Sequence, residues 1–207
     1  MHPAPFPARG LYAITDGPRI DLVQACAAAL RGGTALLQYR DKSLDHVRRR
    51  AEASALVALC MAHRVPLIVN DDVELAATIG ASGVHLGEDD ADIVSARERL
   101  GRDAIIGVSC YDSLERARDL AAAGADYLAF GAFFPSSTKP HNRRARPDLL
   151  RAAKLLGKPL VAIGGITADN ARALIEAGAD FVAAISGVFG AGDAEAAARR
   201  YADLFHK

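Results

Sequence analysis

Three hydroxyls and an ammonium stand side by side in Ser136-Ser137-Thr138-Lys139, closed off by Pro135 and Pro140. Hydroxyl and ammonium groups all donate to an anion. The flanking prolines restrict the backbone, so little freedom is lost when a ligand binds. That inventory suits a phosphate, although a solvated loop carries the same mixture of residues. A second cluster, Gln38-x-Arg40-x-Lys42, alternates along the chain, so an extended backbone puts all three side chains on one face. Asn70-Asp71 and Asp90 add hard oxygen ligands, and Ser109 adds a further hydroxyl. Gly164-Gly165 and Ile185-Ser186-Gly187 offer backbone N–H donors of the kind that cradle a second phosphate. Arg40, Lys42 and Lys139 beside Asp71 and Asp90 form the donor set of Mg²⁺ on a pyrophosphate. Magnesium is commonly held by one or two carboxylates together with phosphate oxygens and water. Each piece also has a plain reading: Gln-x-Arg-x-Lys as a strand end, Asn-Asp-Asp as a helix cap, Gly-Gly as a turn.

The elements that would position these groups can be read from short apolar runs and their punctuation. Runs at 11–15, 35–39, 66–69, 83–86, 104–108, 127–130, 159–163 and 181–184 have the length and continuity of doubly buried parallel strands. Between them, helical patterns cover 20–31, 43–63 with Ser43 as cap, 73–79, 91–100, 113–123, 147–156, 167–177 and 193–205. Pro147 sits in a first helical turn, where proline is tolerated. The helix-to-strand joint recurs as Gly32-Gly-Thr-Ala, Gly80-Ala-Ser-Gly, Ala123-Gly-Ala-Asp and Ala177-Gly-Ala-Asp, at intervals of roughly fifty residues, the mark of a repeated βαβα unit. A closed (β/α)₈ TIM barrel of the α/β class satisfies this pattern; an open doubly wound sheet is the alternative. The barrel is the favoured reading, one domain over 1–207 with 1–10 as an N-terminal extension. Every candidate group then falls at the carboxyl end of a strand, the face where such barrels bind ligands.

Composition excludes several partners. At 207 residues and 51% hydrophobic, the chain can bury a large core. Twenty-five basic residues balance twenty-five acidic ones, so no net positive field would hold nucleic acid or an anionic membrane. No apolar run approaches the ~20 residues of a membrane span, and the start shows no signal-peptide pattern. Cys26, Cys60 and Cys110 are odd in number and far apart, which argues against a disulfide framework and for a cytoplasmic location. Cys110 reads as a buried filler and His85 as a strand residue without a catalytic role. The oligomeric state, homo-oligomer included, is left open.

Taken as a set, Leu-Tyr-Ala-Ile-Thr-Asp16, Leu-Gln-Tyr-Arg-Asp-Lys42, Val-Asn-Asp71, Gly-Val-His-Leu-Gly-Glu-Asp-Asp90, Ile-Gly-Val-Ser109, Phe-Phe-Pro-Ser-Ser-Thr-Lys139 and Ala-Ile-Gly-Gly-Ile166 resemble, in order, the motifs of the thiamine-phosphate synthase family. The resemblance runs from residue 11 to about residue 190 and implies a transferase. Such an enzyme joins a hydroxymethylpyrimidine diphosphate to a thiazole phosphate, giving thiamine phosphate and pyrophosphate by a dissociative, Mg²⁺-assisted substitution. Carried over by motif, Gln38, Tyr39, Arg40, Asp41, Lys42, Asn70, Ser109 and Lys139 would bind the pyrimidine diphosphate, with Arg40, Lys42, Ser109 and Lys139 catalytic. Asp71 and Asp90 would bind Mg²⁺. Ser136, Ser137, Thr138, Gly164, Gly165, Ile185 and Ser186 would hold the thiazole phosphate. The chain departs from the family in Gly87-Glu-Asp-Asp90, where the usual second residue is glutamine, and in Ser136, where threonine is common. The alternative is the paralogous thiazole tautomerase, which shares the barrel, moves a proton and has no use for a diphosphate cradle.

Overall fold

The computed structural model describes residues 5–88, 92–135 and 144–206. Eight parallel strands close into a barrel in sequence order: β1 (Gly10–Ile14), β2 (Thr34–Tyr39), β3 (Leu67–Asn70), β4 (Gly83–Leu86), β5 (Ile105–Tyr111), β6 (Tyr127–Phe130), β7 (Leu160–Ala162) and β8 (Phe181–Ala184). Closure is made by β1 pairing with both β2 and β8, so no strand edge is left open. The outer helices are α1 (Leu22–Arg31), α2 (His46–His63), α3 (Val73–Ile79), α4 (Ile93–Leu100), α5 (Leu114–Ala122), α6 (Pro147–Ala153), α7 (Arg172–Glu176), α8 (Ser186–Phe189) and α9 (Ala194–Ala202). Among the described residues, no helix is long and apolar enough to cross a membrane.

Strand alternation divides the buried residues into two cores. Leu11, Leu37, Val84, Ile106, Leu128 and Val182 point outward and pack under the helices. Tyr12, Leu36, Ile68, Ile105, Tyr127, Val161 and Phe181 point inward and fill the barrel. Phe6 joins the inner core, stacked on Tyr127 at 5.7 Å and tilted against Phe181 at 5.5 Å, at the amino-terminal end of the strands. The segment before β1 therefore closes the barrel floor.

Several helix boundaries differ from those read in the sequence. Asp45, not Ser43, caps α2, accepting from the Arg48 N–H, while the Ser43 hydroxyl accepts instead from Arg48 Nη2 at 2.6 Å. The helix expected over 167–177 is shortened to α7. Thr167 and Asn170 bond each other's backbone N–H groups in the manner of a capping box around a single turn, and the regular helix begins only at Arg172. The short α8, directly after β8, has no separate counterpart among the expected elements.

Space for the inner core depends on glycine. A Cβ on Gly107 would fall 1.8 Å from the Tyr127 Cζ, so the β5 backbone must leave that volume to the phenol ring. Gly107→Ala is therefore expected to cost about 1–3 kcal/mol through overpacking, roughly 2–12 °C in thermal midpoint for a domain of this size. Gly192→Ala, where a Cβ meets nothing within 4 Å, should shift the midpoint by no more than about 2 °C. Equal midpoints for the two variants would show that the ring does not need the vacated space.

Candidate active site at the carboxyl ends of the strands

The inward faces of the strands continue past the core into a cavity of about 380 Å³. Its wall is divided. Gln38 of β2 with Arg40 and Lys42 of its exit, Asn70 of β3 with Asp71 of its exit, His85 and Glu88 of β4 and its exit, and Ser109 and Tyr111 of β5 make one continuous polar arc. Ile14 of β1, Ala129 of β6, Val161 and Ile163 of β7 and its exit, and Ala183 and Ile185 of β8 and its exit make the facing apolar arc. Small residues at 129 and 183 leave room there for a flat group.

The polar arc is held by backbone and side-chain contacts. Thr15 brackets Arg40: its Oγ1 accepts from the Arg40 N–H at 2.8 Å and donates to the Arg40 carbonyl at 3.1 Å. Lys42 Nζ lies 3.0 Å from Asp71 Oδ2, joining the exits of β2 and β3. Asp71 has φ 63°, a left-handed conformation that aspartate adopts more readily than most residues, and its N–H donates to the His85 carbonyl. Asp72 has the separate task of capping α3 and pairing with Arg49 at 2.8 Å. The cap reading of Asn70-Asp71-Asp72 thus holds at Asp72, while Asn70 and Asp71 line the cavity. From outside the barrel, Arg116 of α5 donates to the carbonyls of Ser109 at 2.9 Å and Gly87 at 3.3 Å, tying the exits of β4 and β5 together.

A chain of hydrogen bonds runs beneath this arc. Gln38 Nε2 donates to Tyr12 Oη at 2.7 Å, Tyr12 Oη lies 2.8 Å from Tyr127 Oη, Tyr127 Oη lies 2.9 Å from His85 Nδ1, and His85 Nε2 lies 2.9 Å from Ser109 Oγ. Burial pushes the Tyr12 and Tyr127 phenols well above their usual range, so both remain protonated. His85, expected to be a simple strand residue, is a pocket residue joined to Ser109. Tyr12, His85 and Tyr127 were missed as site residues. The signal for His85 was its place two residues from Gly83 and Gly87, which puts it on the inward side of β4.

Of the residues singled out in the sequence, Gln38, Arg40, Lys42, Asn70, Asp71, Ser109, Gly164 and Ile185 line the cavity together. Tyr39 and Asp41 do not, and their expected contact with the pyrimidine diphosphate is corrected. They alternate with Gln38 and Arg40 and so face outward, where Tyr39 Oη donates to Glu52 at 2.7 Å. The Asp41 side chain is 0% exposed, with Oδ1 accepting from the Ser43 N–H and Oδ2 2.7 Å from Arg48 Nη1. Burial works to raise the Asp41 pKa, but is outweighed by the Ser43 and Arg48 hydrogen bonds and the guanidinium charge, which hold the carboxyl below its usual range. These two residues anchor the loop that carries Arg40 and Lys42. Gly165 and Ser186 sit just behind the cavity wall. A Cβ on Gly165 would lie 2.3 Å from the Pro135 carbonyl, and Ser186 begins α8. Cys110 faces outward among the core residues, its thiol pushed up to about 12 by burial, as befits an inert filler. Asp90, Ser136, Ser137, Thr138 and Lys139 lie outside the described residues.

The comparisons with known proteins converge on one family. The family model for thiamine monophosphate synthase matches residues 11–188. A thiamine-phosphate synthase of Xanthomonas campestris is 56% identical over 196 residues, covering 94% of each chain. One of Chromobacterium violaceum is 57% identical over 198 residues, covering 95% of this chain and 96% of its own. Among solved structures, a thiamine phosphate pyrophosphorylase from Pyrococcus furiosus superposes with a TM-score of 0.86 at 34% identity over 95% of both chains. A 3-hexulose-6-phosphate synthase, at 19% identity and a TM-score of 0.68, shares the fold.

The Asp41 anchor can be tested through pH. A carboxyl whose folded pKa is lowered contributes stability above the ordinary carboxylate value near 4, and that contribution is lost as pH falls through the folded value. Asp41→Asn is expected to unfold at lower temperature than the parent at pH 7, with the gap closing progressively below about pH 4. Thermal scans between these conditions decide it; a gap independent of pH would remove the ionised carboxylate from the account.

Proposed function

Because the chain belongs to the thiamine monophosphate synthase family, its activity is that of a thiamine-phosphate synthase, a transferase, and we propose that the divided cavity performs the condensation. The observation that carries the assignment of residues is the division itself. One arc gathers Arg40, Lys42 and Asp71 for a metal-bound diphosphate, and the other offers an apolar surface for two flat rings. Gln38, Asn70 and Ser109 bind the pyrimidine diphosphate beside Arg40 and Lys42, and Lys139 is assigned to the same diphosphate. Ser136, Ser137, Thr138, Gly164, Gly165, Ile185 and Ser186 are assigned to the thiazole phosphate. Both assignments rest on the motifs together with the cavity position of those residues that line it.

The donor set fits Mg²⁺. Among the described residues no group of three or more His, Cys, Asp or Glu side chains could hold a metal. Magnesium takes one or two carboxylates and completes its shell with substrate phosphate oxygens and water. Asp71 faces the cavity and Asp90 is assigned as its partner ligand. When bound, Mg²⁺ neutralises charge on the departing pyrophosphate.

Arg40, Lys42 and Lys139 stabilise the charge that grows on the leaving oxygen as the C–O bond at the pyrimidine methylene breaks and the electron pair departs with the diphosphate. The apolar arc keeps water from the methylene cation. The thiazole nitrogen, held close, then supplies the electron pair of the new C–N bond. No proton transfer is required, so the site needs no strong base. A tautomerase would need an acid or base directed at the thiazole, whereas both ring nitrogens of His85 are engaged by Tyr127 and Ser109. Cytoplasmic residence belongs to the same reading; the three cysteines are free and buried.

The test is pyrophosphate release and thiamine phosphate formation from the two substrates, with and without Mg²⁺. Equal, Mg²⁺-dependent yields of both products are expected. Asp71→Ala and Asp90→Ala should raise the Mg²⁺ needed for half-maximal rate on the order of tenfold or more. Lys139→Ala should lower kcat by about 10²–10³. Near-parental rates at saturating substrate and low Mg²⁺ in all three would overturn the assigned roles.

A further inference from the structure

The hydrogen-bond chain under the cavity has more order than its individual links require. Each phenol has one hydrogen to donate, and neutral imidazole has one N–H. Gln38 presents its amide nitrogen to Tyr12, so the Tyr12 oxygen is an acceptor on that side. The arrangement that then gives every hydrogen of the chain an acceptor has the Tyr12 hydrogen on the Tyr127 oxygen 2.8 Å away and the Tyr127 hydrogen on His85 Nδ1 2.9 Å away. An accepting Nδ1 leaves the hydrogen on Nε2, which donates to Ser109 Oγ at 2.9 Å. With its oxygen accepting from His85, Ser109 has its own hydrogen left for the cavity that it lines. Reversing any single link would set two hydrogens, or two lone pairs, against each other at a buried atom.

We propose that Tyr12, Tyr127 and His85 are positioning residues that orient the Ser109 hydroxyl as a donor into the cavity, where it meets the anionic oxygen of the diphosphate substrate. The proposal rests on the reading of Ser109 as a diphosphate-side residue. Packing supports a rigid relay. The Tyr127 ring stacks on His85 at 5.6 Å and on Phe6 at 5.7 Å, and meets Tyr12 edge-on at 5.9 Å, while Gly107 leaves it space. Tyr12 and Tyr127 are 1% and 0% exposed, so each hydroxyl finds its partners within the protein. The relay also fixes the Gln38 amide, so both ends of one chain of bonds face the same ligand.

Two measurements test this. In the ligand-free protein, nitrogen NMR of the imidazole should show His85 with Nδ1 unprotonated and the hydrogen on Nε2, and Tyr127→Phe should abolish that preference. A hydrogen on Nδ1 in the parent would mean that the relay runs the other way, and overturns the proposal. In turnover assays, Tyr127→Phe should lower kcat about tenfold while changing KM for the pyrimidine diphosphate less than about threefold. The double variant Tyr127→Phe/Ser109→Ala should be no slower than Ser109→Ala alone. Multiplied losses in the double variant would show that Tyr127 does not act through Ser109. Should Tyr127→Phe fold poorly, His85 supplies the second comparison. His85→Gln keeps an N–H where Nε2 stood and should retain several-fold more activity than His85→Asn, whose amide replaces Nδ1; the reverse ranking would sink the relay. Absence of pyrophosphate release by the parent protein would remove the functional reading, while the imidazole measurement would still decide the direction of the relay.

Discussion

A hydroxyl taken out of water must find a partner or cost the fold about 1–3 kcal/mol, and at the centre of this barrel two phenols meet that requirement with each other. The Tyr12–Tyr127 bond spans two strands that are not neighbours, 115 residues apart in sequence, and depends on closure to bring them together. Phe6 seals the floor against the Tyr127 ring, Gly107 yields the space it occupies, and the remaining bonding capacity passes upward to Gln38 on one side and to His85 and Ser109 on the other. Core and cavity are consequently one construction. A change in the packing of the floor is transmitted to the groups that face the cavity, because the links between them are direct hydrogen bonds of 2.7–2.9 Å.

The outside of the barrel does comparable work for the cationic loop. Arg48 on α2 draws Asp41, Ser43 and Glu52 together, and Glu52 in turn accepts from Tyr39. This cluster grips the residues on either side of Arg40, while Thr15 grips Arg40 itself from β1. A cation-rich loop repels itself until a counter-anion binds. Its geometry must therefore be maintained by contacts that do not involve the cations. The pairing of Lys42 with Asp71 moderates that repulsion within the cavity.

The division of the cavity wall follows from the same economy. A dissociating diphosphate demands fixed positive charge and hydrogen-bond donors, while a reactive carbocation demands the exclusion of water, and neither surface can serve both needs. In the proposed reaction, the contiguous arc of β2 to β5 meets the first requirement and the arc of β6 to β1 the second.

Much of this was legible in the residues alone. Short apolar runs with β-branched and aromatic residues between turn signals read as buried strands, and the expected strands 83–86, 127–130 and 181–184 and the expected helix 73–79 matched the observed elements at both ends. The alternation of Gln38, Arg40 and Lys42 put them on one face because side chains on a strand repeat every second residue, whatever the fold around them. That same rule, applied to Tyr39 and Asp41, already pointed them away from the ligand, yet a motif names neighbours without separating the two faces of a strand. Local sequence also could not tell which cap would win at α2, since Ser43 and Asp45 are both competent, and in the fold the Ser43 hydroxyl accepts from the Arg48 side chain while Asp45 takes the Arg48 N–H. What only the tertiary structure decided was which inward residues meet across the barrel. Tyr12, His85 and Tyr127 each look like ordinary strand residues, and they become one hydrogen-bonded relay because strand closure juxtaposes backbones that the chain holds 42 and 115 residues apart.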